Sequence, residues 1–358
     1  MARRPRTYVR PVEVVVPYLL VGVALVAGAF AAPNFLSALH LSSMGQTAAY
    51  LGVVAIGETL VLLLGGIDLS VPYTMNLAAV LLAGFQFHGV GQNRDIALVL
   101  LVGAGIGFAN GVGIALLDIS PLVMTLGMNS VLQGASLLYT HGSPMGQAPP
   151  FVTQLSTGWW HQIPYADMLW VALTLLVTLA LAFTTFGRSV YAVGSNRRAS
   201  ELSGLPVRRT ILLAYTLSGL AAAVGGILLV GYSGQAYLGM GDAFLLPAIA
   251  VVVIGGTSIF GGQGSYLQTF AGVLLITVIQ SILISVNVSQ AGQDILYGAI
   301  ILVMAYVNRV AIAGSVVRLA SVNASVGAFR GWLEPVRPAA EPEAAPQDMS
   351  GQPGGDAA

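Results

Sequence analysis

Five polar side chains recur at helical spacing in an otherwise apolar stretch of the sequence. The members of this polar stripe are Thr125, Asn129, Gln133, Ser136 and Thr140. At roughly 100° per residue, steps of three and four residues place all five within an arc of about 80° on one helix. Polar groups that face lipid are costly, so five on one face indicate a hydrated surface rather than isolated contacts between helices. Uncharged amides and hydroxyls suit a polar, neutral solute, which makes the stripe a candidate pathway through a membrane.

Two further groups of polar residues are candidates for the same pathway. Thr269, Gln280 and Asn287 share one face of a later apolar segment. Glu58 lies well inside another apolar segment, and Asp68 lies near its end. A proton-coupled transporter requires a buried acid with a partner, and Glu58 is the only candidate for that role. The alternative is a carboxyl group that forms a hydrogen bond with a neighbouring helix or reaches an aqueous cavity.

The sequence contains no arrangement typical of a catalytic or metal centre. A Ser-His-Asp arrangement, a paired-aspartate cluster and an HExxH motif are all absent, and the four histidines are scattered. The absence of cysteine excludes disulfides and thiolate metal sites. All fourteen basic residues are arginine, so the lysine of a Walker A loop is missing, and the net charge of zero gives no reason to expect nucleic-acid binding. We expect no enzymatic activity, catalytic residue, metal or cofactor in this chain.

The elements that position these residues are membrane-spanning helices. Hydrophobic residues make up 56% of the chain and charged residues 8%, against about 25% charged residues in soluble domains. Several stretches run for 18 or more residues without a charge, the length needed to cross roughly 30 Å of hydrocarbon. We predict an all-α polytopic membrane protein with about ten transmembrane helices. The predicted spans are 14–33, 43–64, 72–90, 95–117, 121–140, 167–186, 210–232, 243–262, 265–287 and 293–312.

Two of these spans carry small residues at four-residue steps. The fourth span has Gly103, Gly107 and Gly111, and the seventh has Ala214, Ser218, Ala222 and Gly226. Small residues at this spacing let another helix backbone approach closely. We therefore predict that both spans use these faces for packing.

The distribution of arginine predicts the orientation of the chain. With a cytoplasmic N-terminus, thirteen of the fourteen arginines lie on the cytoplasmic side and only Arg94 lies outside. An odd number of spans would break this agreement, so both termini are predicted to be cytoplasmic. The domains are then a cytoplasmic N-terminus over 1–13, a transmembrane domain over 14–312, and a largely disordered cytoplasmic tail over 313–358, which is rich in Pro, Ala, Glu and Gly.

The cytoplasmic loop over 187–209 is a candidate docking segment. Ser195 or Asn196 is placed to cap a short helix that ends near Gly204 and Pro206. Loops of this size often serve topology alone, but a short amphipathic helix bounded by Gly and Pro also suits a cytoplasmic partner. The candidate docking residues are Arg188, Asn196, Arg197, Arg198, Glu201, Gly204, Arg208 and Arg209.

Four segments in order resemble a known family. They are GGIDLS at 65–70, SPLVMTLG at 120–127, AVGSNRRASELSG at 192–204 and GGTSIFGGQG at 255–264. Together they resemble the ribose/xylose-type permeases of bacterial ATP-binding-cassette (ABC) importers, within the branched-chain amino acid/ribose permease family. The resemblance covers about 30–312, with one departure at Pro72, where the family usually has glycine.

The resemblance implies a permease subunit that moves a monosaccharide or related polyol across the bacterial inner membrane by alternating access. The implied partners are a second permease copy in a homo- or heterodimer, a cytoplasmic ABC ATPase that binds ATP and Mg, and a periplasmic or lipoprotein sugar-binding protein. The loop over 187–209 then engages the ATPase. The alternatives are the same architecture with branched-chain amino acids or nucleosides as cargo, or a stand-alone secondary transporter. A membrane enzyme would need a reactive arrangement that the sequence lacks.

Overall fold

Helices make up nearly all of the regular structure in the computed structural model, which describes residues 11–87, 92–144 and 146–307. The helices are α1 (Pro11–Ala31), α2 (Ala38–Leu63), α3 (Val71–Phe87), α4 (Gln92–Ala115), α5 (Pro121–Thr140), α6 (Pro150–Thr157), α7 (Tyr165–Phe183), α8 (Thr185–Ser195), α9 (Arg197–Leu202), α10 (Val207–Ser233), α11 (Leu245–Ile254), α12 (Tyr266–Ser285) and α13 (Gln290–Val307). A 3-10 helix, Asp242–Phe244, leads into α11, and two short strands, β1 (Trp159–Trp160) and β2 (Ile163–Pro164), pair in antiparallel register.

The described helices fit a protein that crosses a membrane several times. Seven of them are long and apolar enough to span a bilayer, namely α2, α4, α5, α7, α10, α12 and α13. Three further apolar segments, in α1, in α3 and from Asp242 through α11, have 10–17 residues. The all-α polytopic prediction is confirmed, whereas ten full crossings and the cytoplasmic position of both termini stay predictions. The tail over 313–358 and nearly all of 1–13 lie outside the described residues.

The ends of the predicted spans differ from the helix ends where glycine or proline intervenes. The span predicted over 243–262 corresponds to α11, which stops at Ile254 because the chain turns at Gly255 and at Gly256, whose φ is +100°. The span predicted over 167–186 corresponds to α7, which ends at Phe183. A separate helix, α8, begins two residues later, with the Thr184 side chain accepting a hydrogen bond from Gly187 N.

Helix α2 lies at the centre of the protein. Helices α7, α10, α11 and α12 pack around it, and nearly all of its length is buried. By contrast, α5, α7 and α13 present most of their apolar side chains outward. This arrangement suits peripheral helices that face lipid or another protein subunit.

Helices α4 and α10 approach each other closely through their small residues. An added Cβ at Gly111 would lie 2.9 Å from the Cα of Leu212, and one at Gly107 would overlap the carbonyl oxygen of Tyr215. A Cβ at Gly103 would lie 2.7 Å from the Gly219 oxygen. The packing face predicted on the fourth span is therefore confirmed. The face predicted on the seventh span packs against other helices: an added Cβ at Gly226 would overlap Met75 O on α3, and one at Gly57 on α2 would lie 2.6 Å from the Cα of Ser218.

Loops that were predicted to share one side of the membrane lie together. At the end that contains α8, Gly262 N donates to Leu63 O at 2.9 Å, and Arg197 pairs with Asp118. At the opposite end, which contains α6, Ala148 N donates to Gly234 O at 2.9 Å. We call these the α8 end and the α6 end.

Candidate functional site

The predicted acids Glu58 and Asp68 belong to a network of polar side chains inside the protein. Asp68 Oδ1 accepts hydrogen bonds from Ser70 Oγ at 2.6 Å and from Ser70 N at 3.1 Å, and Oδ2 accepts one from Ser218 Oγ at 2.7 Å. Asn110 Nδ2 donates to Ser70 Oγ at 2.8 Å, and Asp68 N donates to Glu58 Oε1 at 3.4 Å. All five residues are at most 1% exposed. We call them the buried network, and it ties α2, α3, α4 and α10 together.

The sequence GGIDLS forms this network because it breaks the helix between α2 and α3. Gly65 has a φ of +79°, which favours glycine, and an added Cβ at Gly66 would overlap the Tyr215 hydroxyl. The chain can therefore leave α2 and start α3 within seven residues, over 64–70. Side chains then accept the hydrogen bonds of the backbone N–H groups freed by the break: Asp68 N donates to Glu58 Oε1, Leu69 N to Thr125 Oγ1 and Ser70 N to Asp68 Oδ1.

The polar stripe on α5 is tied to this break at one end. Thr125 Oγ1 accepts a hydrogen bond from Leu69 N at 3.1 Å and donates to Pro121 O at 2.8 Å. Two turns further along, Gln133 Nε2 donates to the Tyr73 hydroxyl on α3 at 2.8 Å. Thr125 and Ser136 are buried, Asn129 and Thr140 are half-buried and Gln133 is exposed, so the stripe reaches an accessible surface only near its middle.

The middle of the stripe has hydrogen-bonding capacity that the described part of the chain does not use. Asn129 is half-buried and its Oδ1 atom has no partner among the described residues. The hydroxyl of Ser136 is buried and also lacks a partner there. Thr140 Oγ1 donates to the Ser136 carbonyl, which is its own helix backbone. The unpartnered atoms of Asn129 and Ser136 are buried, so water, a solute or another subunit reaches them only if the helices around α5 move.

The weaker polar set on α12 does not form one compact site. Thr269 is buried near the start of the helix, where Thr59 Oγ1 donates to its hydroxyl at 3.1 Å. Gln280 is half-buried, and Asn287 is exposed beyond the end of the helix with a φ of 59°. With a rise of about 1.5 Å per residue, Thr269 and Asn287 lie near opposite ends of α12.

The loop over 187–209 folds mainly into two short helices, α8 and α9. Asn196 lies between them, and its side chain accepts a hydrogen bond from Ala199 N at 2.9 Å, so the predicted cap is confirmed at this residue. Helix α9 ends before Gly204, which has a φ of +75°. Pro206 precedes the first turn of α10.

The charged side chains of this loop lie on the surface of the protein. Arg197 pairs with Asp118 at 2.9 Å, and Glu201 lies 3.5 Å from Arg197 and 3.6 Å from Arg198. Arg188, Arg208 and Arg209 are also exposed. Leu202, which is not among the predicted docking residues, is 77% exposed at the end of α9. Charges around an exposed leucine form a surface suited to a protein partner.

Helix α8 also contacts a second glycine-rich break, residues 255–265 between α11 and α12. The Tyr191 hydroxyl donates to Gly264 O at 2.9 Å. Burial raises the pKa of Tyr191 to about 12, so this hydroxyl remains protonated and able to donate at physiological pH. The role of Tyr191 was not predictable from sequence, because nothing in its local pattern indicates a partner 73 residues away.

The described residues contain no group of three or more His, Cys, Asp or Glu side chains that could hold a metal ion. Their functional features are a buried break in a helical membrane bundle, a polar helix face and an exposed helical loop at one end. This combination is typical of the membrane subunit of a transporter.

Comparison with known proteins identifies the family. Residues 41–305 match the family described as branched-chain amino acid transport system / permease component, and the chain belongs to this family. The chain is therefore a multi-pass permease component of an ABC importer in the inner membrane. Importers of this kind work with an ATPase and a binding protein.

Several characterised relatives are similar over most of their length. The chain is 36% identical to the autoinducer 2 import system permease protein LsrD of Photorhabdus laumondii over 259 residues, which are 71% of this chain and 78% of the relative. It is 34% identical to the ribose import permease protein RbsC of Bacillus subtilis over 295 residues, which are 82% of this chain and 92% of the relative. No solved structure matches the chain.

Proposed function

We propose that this chain carries a monosaccharide or related polyol across the inner membrane by alternating access. The polar stripe on α5 is the observation that supports this cargo. Its amides and hydroxyls each donate and accept hydrogen bonds, as sugar hydroxyls do. Its five members carry no charge, and a charged solute at membrane depth would favour a fixed counter-charge. The similarity to a ribose import permease agrees with this proposal.

The proposed partners occupy opposite ends of the bundle. A cytoplasmic ABC ATPase, which binds ATP and Mg, docks on α8 and α9, where Arg197, Glu201 and Leu202 are exposed. A sugar-binding protein delivers the cargo at the α6 end. A second permease copy, identical or different, faces the accessible side of α5. Because Asn129 and Gln133 then lie beside the subunit interface, the pathway passes near the centre of the dimer.

An uptake assay tests the proposed cargo. The full chain is placed in proteoliposomes with its cognate ATPase and binding protein, and the uptake of labelled ribose, xylose and leucine is measured with and without ATP. We expect ATP-dependent uptake of a sugar and none of leucine. Uptake of leucine alone would support the branched-chain amino acid alternative, which the family description also names.

The same preparation tests the source of energy. Because the sequence lacks a nucleotide-binding motif, the purified chain alone should hydrolyse no ATP above background. Hydrolysis should appear when the ATPase is added and should increase with loaded binding protein. Uptake that follows an ion gradient in the absence of the ATPase would instead identify a secondary transporter.

A further inference from the structure

The end of α8 rests on two glycine-rich breaks at once. Gly194 lies so close to the end of α2 that an added Cβ would overlap the carbonyl oxygen of Leu63, and the same Cβ would lie 2.7 Å from Gly262 N. Gly262 N itself donates to Leu63 O at 2.9 Å. One turn before Gly194, the Tyr191 hydroxyl donates to Gly264 O at 2.9 Å. We call these five residues the α8 joint.

Most contacts in the α8 joint are between backbone atoms. An added Cβ at the neighbouring Gly261 would lie 2.8 Å from Gly65 N and 2.9 Å from Gly194 O. The Tyr191 side chain and the Ser195 hydroxyl also touch this region, but the backbone contacts themselves cannot absorb a displacement by changing rotamer. Closely packed backbones transmit strain with little compression. A shift of α8 must consequently move both breaks or separate from them.

The break between α2 and α3 extends from the joint to the functional residues. Leu63 ends α2, and Asp68 lies five residues further on, where it accepts the hydrogen bond from Ser218 on α10. Leu69 N donates to Thr125 Oγ1, at the buried end of the polar stripe. A displacement of Leu63 therefore reaches both α10 and α5 through seven residues of chain.

We propose that Gly194 is a positioning residue that couples α8 to both glycine-rich breaks, so that movement of the docked ATPase changes the position of the polar stripe. The movement is transmitted through the backbone contacts of the α8 joint. It is also transmitted along the chain, directly to α7 and through α9 to α10. The source of movement rests on the proposed function. The joint itself is independent of which solute is carried.

The variant Gly194→Ala tests this proposal because its added methyl group would force α8 away from Leu63. In the reconstituted complex we expect the ATPase to bind and hydrolyse ATP, while solute uptake per ATP falls by about tenfold. The matched control is Gly105→Ala on α4, which adds the same methyl group where, apart from the adjacent backbone of α4 itself, no described atom lies within 4 Å. Equal uptake per ATP in Gly194→Ala and wild type would overturn the proposal.

A labelling experiment separates transmission from a general structural role. The chain has no cysteine, so Gln133→Cys provides a single reporter on the stripe. Its reaction with a water-soluble thiol reagent should change between nucleotide-free and ATP-trapped complexes in the wild-type background. The change should disappear when Gly194→Ala is added, and a preserved change would count against the joint.

A milder variant covers the case in which Gly194→Ala fails to fold. Tyr191→Phe removes only the hydrogen bond to Gly264 O and keeps the aromatic ring. It should lower uptake per ATP by about two- to threefold, and wild-type coupling would overturn the proposal. If the wild-type complex itself shows no ATP-dependent uptake, the proposed function is wrong, and this inference falls with it.

Discussion

The buried network and the polar stripe are both sets of polar groups inside apolar helices, but they differ in where their hydrogen bonds go. In the buried network, both oxygens of Asp68 accept hydrogen bonds from other parts of the chain. In the stripe, Asn129 Oδ1 and the Ser136 hydroxyl lack partners among the described residues, and Gln133 is exposed. Polar groups at membrane depth need partners. The network obtains most of them from this chain, although Glu58 Oε2 and Asn110 Oδ1 also lack partners among the described residues. The stripe differs in that its Gln133 amide is exposed, where water, a solute or another subunit can reach it.

The buried network and the polar stripe are in direct contact, but their different hydrogen bonding indicates separate roles. The network holds four helices at the break, and the stripe begins where Leu69 N donates to Thr125. A transporter needs a rigid element beside a surface that changes its partners during the cycle. We therefore interpret the network as structural and the stripe as functional, and the following predictions test that division.

The largest effect on stability is expected for Asp68→Ala. The substitution removes the acceptor for three hydrogen bonds and leaves the buried Ser70 and Ser218 hydroxyls without it. We expect the free energy of unfolding to fall by about 2–4 kcal/mol, measured by thermal unfolding in detergent. Asp68→Asn keeps one carbonyl oxygen as an acceptor, so its free energy of unfolding should fall by less. Normal stability of Asp68→Ala together with lost transport would instead place Asp68 in the pathway, as the sequence analysis proposed.

Ser218→Ala should have a smaller effect of the same kind. It removes one hydrogen bond between helices, which is worth about 0.6–1.7 kcal/mol in membrane proteins. The α10 backbone stays unchanged, because the new methyl group is smaller than the side chain it replaces. The comparison is thermal unfolding of Ser130→Ala on α5, whose hydroxyl donates a hydrogen bond to its own helix at Leu126 O. If Ser218→Ala and Ser130→Ala were equally stable, the hydrogen bond between Ser218 and Asp68 would not stabilise the contact between α10 and the break.

For Gln133→Leu on the stripe we expect a large loss of uptake and a small loss of stability. The exposed amide loses its contact with Tyr73 and its capacity to bind a solute. We expect uptake to fall by about tenfold, with a smaller loss of stability than in Ser218→Ala. The matched control is Ser130→Leu, which places leucine on an exposed position of the same helix outside the stripe. Equal uptake in both variants would mean that the stripe only joins helices.

The stripe was predictable from sequence because its members follow the helical period. The span predicted over 121–140 has the same bounds as α5. The network was only partly predictable, because Asn110 and Ser218 lie 40 and 150 positions from the residues that they bind. Glu58 and Asp68 were selected as intramembrane acids, but no local pattern connects them to α4 or α10.

The α8 joint was not predictable for a different reason. The sequence predicted a short helix with a cap at Ser195 or Asn196, and the structure contains that helix as α9. The contacts of α8 depend on single glycines that, unlike Gly103, Gly107 and Gly111 on α4, belong to no periodic pattern. Gly194 and Gly262 become informative only when the backbones that approach them are known.

The smallest effect on stability is expected for Arg197→Gln at the α8 end. Its ion pair with Asp118 is 2.9 Å long, but the two side chains are 43% and 78% exposed, so water and salt screen the interaction. Exposed pairs of this kind contribute about 0.2–1 kcal/mol, less than the buried bonds of Asp68. Thermal unfolding of both single variants and of the double variant with Asp118→Asn measures the coupling, which should weaken in high salt. If the coupling energy between Arg197 and Asp118 were as large as the loss of stability in Asp68→Ala, this exposed ion pair would stabilise the fold as much as the buried network does. Exposure would then not separate structural from functional contacts in this protein. With a small coupling, any large loss of ATPase binding in Arg197→Gln is attributable to the docking surface, because the fold beneath it is unchanged.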